Sequence, residues 1–74
     1  MQSVYIRDEF IKLGQALKLS GLADSGVEAK ELICEGKVFL NGETECRRGK
    51  KCYPGDIIKL GHEEVIIESK ENDH

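Results

Sequence analysis

The apolar positions of this chain change period along its length. From Leu13 they recur at three- and four-residue spacing through Ala16 and Leu17 to Ser20, the pattern of one buried helix face. Gly21 supplies a stop, so a short helix is expected over residues 13–20, flanked by Lys12 and carrying Lys18 away from its apolar stripe. A second helix opens at Ser25. Ser25-Gly26-Val27-Glu28 fits the capping box, in which the serine oxygen takes a free amide and the glutamate reaches back for another. Ala29, Leu32 and Ile33 form its buried stripe, Gly36 its left-handed stop, and Lys30 lies on its flank.

After Gly36 the pattern turns to strands. "KVFLNGE" predicts a strand over Lys37 to Leu40 that runs into an Asn41-Gly42 turn. Pro54-Gly55-Asp56 is a second turn, "DIIKL" a further strand, and "HEEVIIES" a last strand centred on Val65 to Ile67. At the other end, "SVYIR" (Ser3 to Arg7) favours β structure and suits an edge strand. No repeat or linker interrupts the chain. Its 74 residues are enough for one domain, with a core over residues 4–68 and an acidic tail over 69–74. With 39% apolar residues and no Trp, the expected core is lean and aliphatic. A deep catalytic cleft is hard to build at this size, which favours a binding module over an enzyme.

Charge sharpens that expectation. Residues 1–60 carry ten Lys/Arg against nine Asp/Glu, whereas residues 61–74 carry one lysine against five acids, so the C-terminal end sets the net charge of −3. Within the balanced part, Arg47-Arg48-Gly49-Lys50-Lys51 places four cations in five residues, between the Asn-Gly and Pro-Gly turns. A solvated turn is the plain alternative. Four cations with no acid among them suit a polyanion better, and Gly49 lets the backbone approach one closely. Arginine adds bidentate phosphate recognition and stacking on a base. Lys12, Lys18, Lys30 and Lys37 alternate with Glu28, Glu31 and Glu35 and, taken singly, read as ordinary surface.

Cys34, Cys46 and Cys52 are an odd number with no export signal, which fits three free thiols in a reducing cytoplasm. A disulfide between Cys46 and Cys52 requires their strands to face each other, and the paired-cysteine spacings of zinc modules are absent. Arg and Lys beside Cys46 and Cys52 would lower their thiol pKa. No transmembrane run, nucleotide-binding loop or catalytic constellation appears, and neither His62 nor His74 has a nucleophile close in sequence. No enzyme activity, cofactor, metal or small-molecule substrate is expected.

The stretch "KLGQALKLSGLADSGVEAKELICEGKVFLNG", followed later by "PGD", resembles the RNA-binding domain named after small-subunit ribosomal protein S-four, also called the α-L motif. The carrying residues are Leu13, Leu17, Ser25, Ala29 and Ile33, then Gly36, Val38, Asn41 and Gly42, with Gly55-Asp56 closing the pattern. The resemblance runs from Lys12 to about Leu60. It implies an α+β fold, two short helices packed on a small, curved, mainly antiparallel sheet. It also implies that the two-helix face binds structured RNA, either rRNA or tRNA, in association with the ribosome; the cysteines point to the cytoplasm, and a monomer is expected because nothing in the pattern demands a dimer. On that face the resemblance places Lys12, Gln15, Lys18, Ser25 and Lys30, with Lys37 extending it. Two positions depart from the family pattern. Gly26 stands where an Arg often follows the helix-initiating Ser, and Gly14 where an Asp is common. Together with "RRGKK" these resemble the short stand-alone bacterial proteins of the YaaA/YbcJ type. There the basic run takes over charge missing from the second helix, which shifts weight to Arg47, Arg48, Lys50 and Lys51. The competing expectation is a protein-interaction module without RNA affinity, using the β edge or the acidic tail. A β-grasp sulfur carrier would need a C-terminal Gly-Gly, and "ENDH" does not provide it.

Overall fold

The computed structural model describes residues 1–70; the C-terminal part of the acidic tail, residues 71–74, lies outside the described residues. In chain order the elements are β1 (Gln2–Ile6), β2 (Ile11–Lys12), α1 (Leu13–Ser20), α2 (Gly26–Cys34), β3 (Val38–Leu40), β4 (Glu43–Thr44), β5 (Lys51–Cys52), β6 (Ile57–Leu60) and β7 (Glu63–Ser69). Five strands form a mixed sheet in the order β1-β7-β6-β3-β4, and β2 pairs with β5 in a separate antiparallel ribbon. Every pairing is antiparallel except that of β1 with β7.

Alternation along the strands builds one buried face. Leu40 lies opposite Ile58, Ile58 opposite Val65, and Val4 opposite Ile67 in the parallel pair. All five are buried, and Leu13, Ala16 and Leu17 of α1 with Ala29 and Ile33 of α2 complete the same core. No polar or charged residue is buried among the described residues. The fold is therefore α+β, two short helices against a mainly antiparallel sheet.

The elements end where the sequence chemistry ends them. Gly21 adopts φ 85° and returns its N–H to the Lys18 carbonyl. At the end of α2, Gly36 (φ 76°) donates to Ile33 and Lys37 to Leu32, the two bonds of a Schellman stop. At its start the Ser25 hydroxyl oxygen accepts the Glu28 N–H at 3.1 Å. Glu28 reaches one residue further than the capping box predicts, accepting the Asp24 N–H at 2.6 Å.

Candidate nucleic-acid interface

Helix α1 begins without a side-chain cap. Its N-cap residue is Lys12, which makes no capping hydrogen bond. The first amides are served from a distant part of the chain. Leu13 N–H donates to the Lys50 carbonyl at 2.9 Å and Gly14 N–H to the Arg48 carbonyl at 3.0 Å. Together with the β2–β5 ribbon, these bonds staple the Arg47–Lys51 loop across the start of α1.

Gly14 lets the Arg48 side chain lie against the start of the helix. A Cβ at this position would stand 2.8 Å from Arg48 Cγ, so any side chain here displaces the arginine stem. Gly26 has open space around it, with Lys18 Cδ at 4.0 Å from where a Cβ would sit. Between the two glycines runs an open groove of about 370 Å³, lined by Lys12, Gln15, Lys18, Ala29, Arg48 and Gly49 as well as Gly14 and Gly26. Three cations line it and no carboxylate does.

The ten residues expected at the interface divide accordingly. Lys12, Gln15, Lys18 and Arg48 converge on the groove. Ser25 is next to Gly26 in sequence, but its oxygen is engaged in capping α2. Lys30 is exposed on α2 outside the groove lining. Lys37 pairs with Glu35 at 3.2 Å, with both side chains largely exposed. Arg47 is held by Glu45, the acid just upstream of the run: Nε donates to Oε2 at 2.9 Å, and the Arg47 backbone N–H donates to the same oxygen at 3.0 Å. Those bonds hold the Glu45 carboxyl below the usual carboxylate range and raise the Arg47 guanidinium above its own. Lys50 contributes its carbonyl to the α1 start. Lys51 turns to the other side, its Nζ 4.8 Å from the centre of the Phe10 ring.

Lys12 and Lys51 are direct partners in the β2–β5 ribbon. The sequence does not reveal this ribbon, since each strand is two residues long and carries no alternation of its own. The one available clue was a helix at Leu13 with no capping residue before it.

The expected drop in thiol pKa is corrected at Cys52. This side chain is fully buried, and desolvation, helped by the Asp56 carboxylate, pushes its pKa up to about 11. Proximity in sequence to Arg and Lys does not outweigh removal from water. All three cysteines are free thiols, with Cys34 and Cys46 exposed, and no cluster of metal-binding side chains occurs among the described residues. No described helix is long and apolar enough to cross a membrane.

Two helices on a mainly antiparallel sheet, with a basic groove at the start of α1, define a class that comparison with known proteins identifies. The S4 domain model matches residues 4–68, and the chain belongs to that family. Among its relatives is RlbA of Bacillus subtilis (strain 168), named as a probable ribosome maturation protein. It is 42% identical over 57 residues, 77% of this chain and 80% of that protein. YbcJ of Escherichia coli (strain K12), named as a candidate RNA-binding protein, is 34% identical over 58 residues, 77% of this chain and 83% of its own length. The small ribosomal subunit protein uS4m of Schizosaccharomyces pombe is 29% identical over 55 residues. That match covers 74% of this chain but 17% of the longer protein.

Proposed function

We propose that this protein binds structured RNA, rRNA or tRNA, without catalysing a reaction, and that it acts in association with ribosomal particles. The observation that carries the reading is the groove in which Lys12, Lys18 and Arg48 meet from two separate parts of the chain with no carboxylate among the lining residues. Such a surface attracts closely spaced phosphates, whose neutralisation releases counterions and dominates affinity. Gln15 supplies both a donor and an acceptor within the groove. Membership in the S4 family and the names of RlbA and YbcJ point the same way. Arg47, Lys50, Lys51, Lys30 and Lys37 widen the field around the groove, and Ser25 holds the helix that forms one wall.

The test is binding to a structured RNA and to duplex DNA across a salt series, for the wild type and for Lys12→Ala/Lys18→Ala/Arg48→Ala. All three side chains are exposed, so the variant should keep its circular dichroism spectrum. Each lost phosphate contact should flatten the log–log salt slope by about 0.7–0.9, with RNA preferred over DNA. An unchanged slope and affinity in the variant would remove the groove from its role. Absence of RNA binding at low salt, with partners captured in a ribonuclease-resistant manner, would replace RNA with protein as the ligand.

A further inference from the structure

Lys12 and Gln15 line a second cleft as well as the first. It has a volume of about 400 Å³, and its walls include Tyr5 and Phe10, with Arg7 and Asp8 also lining it. Tyr5 follows buried Val4 and precedes buried Ile6 on β1, so the strand's alternation turns its ring outward, and it is 56% exposed. The Phe10 ring is held by two residues at and just after β5. Tyr53 packs against it with centroids 5.9 Å apart, and the Lys51 ammonium lies over it. Three of the four aromatic residues therefore gather beside the basic groove, at positions where they contribute little to the core.

We propose that this cleft receives the base of an unpaired nucleotide adjoining the RNA helix held in the basic groove; the proposal rests on the RNA-binding reading above. The chemistry favours a base over a phosphate here. Arg7 and Asp8 carry opposite charges, which leaves Lys12 at the shared edge as the cleft's one uncompensated cation against three in the groove, while aromatic rings stack on any base. The Gln15 amide can donate to and accept from a base edge. Lys12, shared by both clefts, stands where the phosphate joining the paired and unpaired nucleotides would pass.

The experiment compares a fully paired RNA hairpin with the same hairpin carrying one bulged adenosine, each against the wild type and Tyr5→Leu/Phe10→Leu. Leucine keeps apolar volume and removes the stacking surface. The wild type should bind the bulged hairpin about tenfold more tightly, at the low end of what stacking on an aromatic ring contributes. The double variant should bind both hairpins equally, with the wild-type salt slope retained because no phosphate contact is lost. Tyr5→Leu alone, at an exposed position, provides the readout if the double variant unfolds, and it should narrow the preference. Equal wild-type affinity for the two hairpins overturns this proposal and leaves the phosphate-binding reading standing. So does a preference that survives the substitutions. Failure of the wild type to bind either hairpin overturns both.

Discussion

Arg47 and Arg48 are neighbours in the chain but have different surroundings. Arg47 is engaged by Glu45 through its side chain and its backbone, while Arg48 lines the groove and offers its carbonyl to Gly14. The two should separate in a binding assay. Arg48→Ala is expected to flatten the salt slope by about one phosphate contact, 0.7–0.9, and Arg47→Ala by less than half of that; equal losses would place both on the RNA. Cys52 gives a second residue-scale prediction. Its thiol keeps its proton in the folded state until about pH 11, against an ordinary value of 9.0. The folded state therefore binds more protons than the unfolded chain between these values, and stability must fall as pH rises through that window. The loss should be on the order of 2–3 kcal/mol once both values are passed. Urea midpoints measured from about pH 8 upward should show this slope in the wild type and lack it in Cys52→Ala.

At the scale of elements, both helices and the β3–β4 hairpin are legible because their signals are local. Ser25, Gly21 and Gly36 are caps whose partners lie within a few residues. Asn41 and Gly42, with φ 52° and 87°, form the two-residue loop between β3 and β4 that an Asn-Gly pair predicts. The family residues Asn41 and Asp56 prove to be partners in structure. Asn41 Nδ2 donates to Asp56 Oδ1 at 3.1 Å, and Asn41 Oδ1 accepts the Ile57 N–H at 2.9 Å. Asp56 Oδ2 in turn accepts the Tyr53 N–H at 2.8 Å, closing the Pro-Gly turn. One clamp ties both turns together, so these positions are recognised in the sequence for their role in folding. Asn41→Ala removes both side-chain bonds and puts a less tolerant residue at positive φ. It should cost about 2 kcal/mol in denaturant unfolding, whereas Asn41→Gly, which loses the bonds but not the conformation, should cost less.

The fold is closed by the one parallel pair among the described residues, which brings β1 from the start of the chain beside β7. Nothing local announces that pairing, because it depends on β7 having a free edge once β6 has taken the other. Ile67 is fully buried in β7 opposite Val4. Its truncation to Ala should cost about 2–5 kcal/mol, out of a total near 4–11 kcal/mol for a domain of this size. Calorimetry should therefore show a sharply lowered melting temperature, and a shift of only a degree or two would mean that the β1–β7 seam contributes little. Charge is also arranged at this scale. The acids Glu63 and Glu64 lie on β7, away from the lining of the basic groove, which is how a chain of net charge −3 can present a cationic face.

The sequence by itself determined the helices, the Asn-Gly and Pro-Gly turns and the presence of a dense basic run, each resting on side chains acting over a few residues. The α+β class came from the family resemblance that those residues carry together. Only the tertiary structure decided which cations meet. It took the β2–β5 ribbon and the bonds from Leu13 and Gly14 to bring Arg48 beside Lys12 and Lys18. It took Glu45 to hold Arg47 back, and the pleat of β1 to turn Tyr5 toward the second cleft. The groove joins Arg48 to two lysines thirty or more positions before it, and no periodicity in a chain encodes a distance across space.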